Sequence, residues 1–174
     1  MSILHPAQGG PQPYELAVDN FWLNVLRHYF PLLNNYSVER ESYTYQRRRY
    51  MANVVVARLG NNRLQKVVID EGKRFPSDTQ PGWEQRYRWT QLKSQLRRSL
   101  TGARRSSRTQ STMYGIAAVG DRVRFYQLQQ GSNRMAPFVA DPQNPPLEAP
   151  ILSIHGDRNM IDQLIRMIRT DFGH

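Results

Sequence analysis

Two apolar, β-branched runs separated by four turn-forming residues leave the centre of this chain little choice. Residues 51–59 read MANVVVARL and residues 64–73 read LQKVVIDEGK, with Gly60, Asn61, Asn62 and Arg63 between them. An unbroken run of valines suits a strand at the buried centre of a sheet, and a Gly-Asn tetrad closes an antiparallel hairpin. A tight, symmetric turn sets Leu59 against Leu64, which predicts Glu71 opposite Ala52 and one step from Asn53. The returning strand ends on Glu71 and Lys73. Residues two apart on a strand share a face, so this carboxylate and this ammonium are expected side by side, with Asp70 on the opposite face. At a strand's end such a pair can hold a divalent cation, position water and steady charge developing on a phosphate. The competing reading is a surface strand that ends in a charged turn.

Elements on both sides of the hairpin are legible from their periodicity. Residues 1–13 carry Gly9, Gly10, Pro11 and Pro13 and read as a loose arm ahead of a single domain over 14–174. Over 14–33 the residues Leu16, Val18, Phe21, Trp22, Val25, Leu26, Tyr29 and Phe30 recur at helical spacing, with Pro31 as the stop. A first strand is expected over 36–46, carrying Glu39 and Glu41 and followed by Arg47, Arg48 and Arg49. A proline-bounded loop leads to one long helix from Trp83 to about Leu100, rich in arginine. Strands follow over 113–119 and 122–129, turned at Gly120-Asp121; 130–150 reads as irregular, and 151–154 as a short edge strand. Asp157 or Asn159 caps a last helix running to Ile168, with Met160, Ile161, Leu164, Ile165 and Ile168 as its core stripe.

Charge narrows the partners. Lysine and arginine total 24 against 14 acids, a formal net charge of +10, which favours nucleic acid first and acidic membrane second. Arginine predominates, and its planar fork suits phosphate. The backbone-tracking candidates are Arg47, Arg48, Arg49, Arg86, Lys93, Arg97, Arg98, Arg104 and Arg105, set against the plainer reading of a solvated helix face and loop. The chain has no cysteine, which removes thiol nucleophiles and thiolate metal sites. Its histidines, at 5, 28, 155 and 174, lack ligand spacing, and no phosphate-cradling glycine loop or G-x-S-x-G occurs. No apolar run is long enough to span a membrane, and the N-terminus lacks a basic-then-apolar leader, so an intracellular, nuclear or cytoplasmic location is expected.

The order helix, three strands with E-x-K on the third, helix, strand, together with FWLNVLRHYFP, YSVERE, NVVVARL, VVIDEGKR and MYGIAAVGDRVRFYQL, resembles the restriction-endonuclease-like PD-(D/E)XK superfamily. It is most similar to the stand-alone nuclease-like domains of that class found in fungal proteins. The resemblance runs from about Phe21 to Leu128 and implies an α/β fold with a mixed α+β sheet, an αβββαβ core and an extra C-terminal strand and helix. It further implies phosphodiester hydrolysis on DNA with Mg²⁺ or Mn²⁺. Glu71, Glu41 and position 53 then hold metal, Lys73 positions the nucleophile, and Gln91 matches the glutamine of the following helix. In the exonuclease-like branch a tyrosine follows that glutamine by four residues; here the position is Gln95.

One departure matters. The metal-binding aspartate expected on the second strand is Asn53, whose amide brings no negative charge. Three readings of it stand: a relative without catalysis, a site completed by Asp70 or Glu39, or an introduced substitution. Alternation along the strand argues against Asp70. The functions to be weighed are therefore a metal-dependent nuclease, a nucleic-acid-binding module with a degraded metal site, and a protein-interaction module or effector on the same scaffold.

Overall fold

The computed structural model describes residues 15–43, 51–60 and 62–173 of the chain, so the 1–13 arm and the run Arg47, Arg48, Arg49 lie outside the described residues. The first helix, α1 (Glu15–Tyr29), buries Val18, Trp22 and Leu26 at four-residue spacing and ends where Pro31 removes a donor. A 3-10 turn at Leu32–Asn34 and a left-handed Asn35 then lead into the sheet. Strands β1 (Tyr36–Tyr43), β2 (Met51–Gly60) and β3 (Arg63–Lys73) form an antiparallel meander. Strands β4 (Met113–Val119) and β5 (Arg122–Leu128) form a second antiparallel pair. The described sheet has seven strands in the order β1 to β6. The short β6 (Met135–Pro137) and β7 (Leu152–Ser153) both pair with β5. Only β3 and β4 run parallel, and that geometry demands a crossover.

The crossover is helical, and it is not the single helix that periodicity predicts. It divides into α2 (Trp83–Arg86) and α3 (Trp89–Ser107), with Tyr87 extended between them. Six residues of continuous helix advance about 600°, so Trp83 and Trp89 cannot both face the sheet from one rod. The break rotates both indoles inward, each 6% exposed, and the Trp89 indole N–H closes it on the Glu84 carbonyl at 2.8 Å. Beyond it, α3 buries Leu92, Leu96, Leu100 and Ala103.

The helices cover opposite faces. A side-chain carbon at Gly115 of β4 would meet Leu96 of α3 at 2.8 Å, whereas one at Gly72 of β3 would meet Asp19 of α1 at 2.6 Å. Gly115 pairs with Ile69, three residues before Gly72, so alternation puts the two glycines on opposite faces. The last helix, α4 (Arg158–Asp171), contacts α1 and buries Ile161, Leu164, Ile165 and Ile168. Met160 is partly exposed, and Asp157 accepts the Ser153 N–H at 2.7 Å instead of capping the helix through its side chain. No helix among the described residues is long and apolar enough to cross a membrane.

The hairpin carries a defect that composition does not reveal. Leu59 pairs with Leu64 as expected, but Ala57 pairs with Lys66 and Val56 with Val68, leaving Val67 as an extra residue. The register beyond this bulge moves by one. Glu71 therefore follows the last pair, Val54–Asp70, on the level of Asn53, and not opposite Ala52.

Arg104, expected on a phosphate-tracking surface, is buried. It is 5% exposed, and its guanidinium donates to the carbonyls of Ser132, Ser111 (2.9 Å), Leu128 (2.6 Å) and Gln129 (3.0 Å). It caps carbonyls at the end of β5, in the turn beyond and in the loop before β4, which commits its guanidinium to the fold. Arg104→Met strands those acceptors and is expected to cost about 3 kcal/mol, near 10 °C in a thermal melt. Arg97→Met, on the exposed side of α3, should stay within about 0.5 kcal/mol of the parent.

Candidate functional site

Glu71 ends under α3 with no exposed surface. Ser99 donates its hydroxyl to Oε1 at 2.5 Å, and Gln95 donates its amide to Oε2 at 2.7 Å. These two donors sit four residues apart, one turn of α3, so a single helix face meets both carboxylate oxygens. Gln91, one turn earlier, is exposed and lines a different cavity. The glutamine that meets Glu71 is therefore Gln95. Lys73 shares the Glu71 face by alternation, and its charge favours the ionised forms of Glu71 and Asp70.

Asn53 does something other than wait for a cation. Its Oδ1 accepts the Gly72 N–H at 3.0 Å, and its Nδ2 donates to Asp19 Oδ2 at 3.1 Å. The β2–β3 ladder stops at Val54–Asp70, so this side chain takes over the strand bond that Gly72 needs and ties β3 to α1. Asp19 is 3% exposed on the buried side of α1, and the sequence reading missed it. The available signal was an acid three and seven residues ahead of Trp22 and Leu26, inside an apolar stripe. Glu41, offered in its place, lies on β1 between Arg40 and Ser42, which pair with Val54 and Ala52; its side chain is outside the described set.

Asp70 points the other way, toward α1, as alternation predicts. It is completely buried, and both its oxygens lack a hydrogen-bond partner. Burial, then the nearby charges of Asp19 and Glu71, push its pKa well above the usual carboxylate range, which favours the uncharged acid. Burial likewise pushes Glu71 up to about 7, against the opposing pull of Ser99, Lys73 and Gln95. Three acids thus gather around Gly72, with Lys73 and the amides of Asn53 and Gln95 beside them.

As arranged, these residues do not fit a divalent ion. Mg²⁺ needs near-octahedral oxygen ligands and keeps several waters. Both oxygens of Glu71 accept protein hydrogen bonds in a site without exposed surface, Asn53 Oδ1 is committed to Gly72, and Asp70 faces away.

Five arginines of the crossover lie on the surface. Arg86, Arg88, Arg97, Arg98 and Arg105 are exposed, and Arg86 lies 3.9 Å from Asp78. Gln95, Arg98 and Arg105 fall at i, i+3 and i+10 along one flank of α3, so two arginines continue from the residue that covers Glu71. Lys93 does not join them, being bonded to Glu148 at 2.6 Å over the Tyr126 ring.

No family model matches this chain, and no curated protein or solved structure matches it either.

The acid cluster has a consequence for stability. The folded pKa of Glu71, about 7, exceeds the ordinary 4.5, so the native state binds the extra proton. Its contribution is fully present below about pH 4.5 and lost as pH rises through 7. Urea unfolding between pH 4.5 and 8 should therefore show the parent losing about 3 kcal/mol relative to Glu71→Gln. A difference between the two proteins that stays constant with pH would contradict this.

Proposed function

We propose that this chain is a nucleic-acid-binding domain of nuclease-like build, with DNA as the partner, whose E-x-K centre holds the fold together in place of a metal. The observation that carries the reading is the row of exposed arginines on α3, starting beside the residue that covers Glu71, in a chain of net charge +10. Arginine contacts phosphate through two parallel N–H donors, and each phosphate neutralised releases counterions. The restriction-endonuclease-like resemblance is consistent with this surface, since the helix after the E-x-K strand is the one that bears the arginines.

Hydrolysis is the second reading, favoured by one observation: Asp19, Asn53 and Glu71 meet at Gly72 with Lys73 two residues from Glu71. A binding assay and a cleavage assay together separate the two. Fluorescence anisotropy with labelled DNA should show binding that weakens steeply between 50 and 200 mM salt, as on the order of several phosphate contacts would give. Replacing Arg97, Arg98 and Arg105 with Glu should weaken binding more than about tenfold and lower the salt slope by about 2 to 3. Neither Mg²⁺ nor Mn²⁺ should produce strand cleavage by the parent chain. Cleavage that Lys73→Ala abolishes and Asn53→Asp raises would establish the hydrolytic reading instead, and absence of DNA binding at low salt would remove both.

A further inference from the structure

The break between α2 and α3 leaves a cavity of about 370 Å³ on the outer side of the crossover. Its wall includes Trp83, Tyr87, Arg86, Arg88 and Gln91, none of which the acid cluster uses. We propose that this cavity is a nucleobase pocket, taking one unpaired base of a strand whose phosphates follow the arginine flank of α3. The proposal rests on the nucleic-acid reading above and names the form of nucleic acid involved.

Four features point to a base and its phosphate. The first is a rigid aromatic wall. The Tyr87 ring stands steeply inclined to both indoles, at 6.3 Å and 88° from Trp83 and at 5.4 Å and 74° from Trp89. Packed on two sides, it has little rotamer freedom to lose on stacking, and every base presents a π-face. The second is Gln91, an exposed amide on the same wall that carries both donors and an acceptor for a base edge. The third is the pair of exposed cations, Arg86 and Arg88, placed for the attached phosphate. Asp78 also lines the cavity, 3.9 Å from Arg86, and disfavours a bare inorganic anion over a neutral ring. The fourth is size, since the cavity falls at the lower end of small-ligand sites and admits a single nucleotide but no duplex.

Position supplies the path. Gln91, Gln95, Arg98 and Arg105 lie on one flank of α3, at i−4, i, i+3 and i+10 relative to Gln95. From Arg105 back to Gln91 is a rise of about 21 Å at 1.5 Å per residue. A strand held by the two arginines runs along this flank to the cavity mouth. The helix break that buries both indoles also makes the pocket, so one backbone feature serves the core and the surface.

The test compares single-stranded dT12 with an abasic 12-mer of the same charge, by anisotropy on the full chain at 50 mM salt. The expected result is that dT12 binds about tenfold tighter, with a duplex of equal length gaining nothing. Tyr87→Leu should lower dT12 to the abasic level while leaving abasic binding unchanged. Gln91→Trp, at an exposed position where the parent fold is expected to persist, should do the same by filling the cavity. Equal affinity for dT12 and the abasic strand overturns the pocket alone, as does a Gln91→Trp protein that retains full preference for dT12. Binding of neither strand overturns the pocket together with the nucleic-acid reading on which it rests.

Discussion

The amide of Asn53 is the contact on which the arrangement of this domain turns. Where β2 and β3 separate, the Gly72 N–H would face a missing strand partner, and Asn53 supplies the acceptor. Its other end reaches Asp19, which fastens α1 over β3 at a point that only glycine permits, because a side-chain carbon at position 72 would collide with the Asp19 carboxylate. A neutral group that both donates and accepts is what this junction requires. An aspartate at the same place would set two carboxylates against each other and lose the donor.

Burial of charge is resolved differently on the two sides of the sheet. On the α3 side Glu71 receives two donors, and Arg104 spends its guanidinium on four carbonyls. On the α1 side Asp70 has no donor, and its burial favours the uncharged acid. Buried ionisable groups of this kind commonly mark functional sites, but structural networks shift pKa values by the same physics. Here the hydrogen bonds of Glu71 run to the helix that packs on it, which is the structural pattern.

The long strands and their sequence order were legible because β-branched runs, Gly-Asn turns and residue alternation are local signals; β2, β4 and β5 fall within a residue of their sequence bounds, whereas the three-residue β6 lies in the 130–150 stretch read as irregular. The opposite orientations of Glu71 and Asp70 were legible for the same reason. Four further features were not. The bulge at Val67 leaves no trace in an apolar run where every residue is buried whichever face it takes. The break at Tyr87 follows from the need to bury two indoles at once, a tertiary demand that overrides helical periodicity. Arg104 reads like its neighbour Arg105 in sequence, and only the carbonyls left over beyond β5 separate a capping residue from a surface one. Asp19 was not legible because an acid on a helix ordinarily faces solvent, and only the close approach of α1 to Gly72 buries this one.

The parallel pairing of β3 with β4 has a kinetic meaning. The meander of β1, β2 and β3 and the hairpin of β4 and β5 are each built from neighbours in sequence, so each closes a short loop and can form early. The seam between them joins residues separated by the whole α2–α3 crossover and can zip only after α3 has docked. Glu71 lies on that seam, held from above by the helix that spans it. The domain is thus two halves of sequence-local pairing joined at one crossover seam, and the raised pKa of Glu71 acts at that seam.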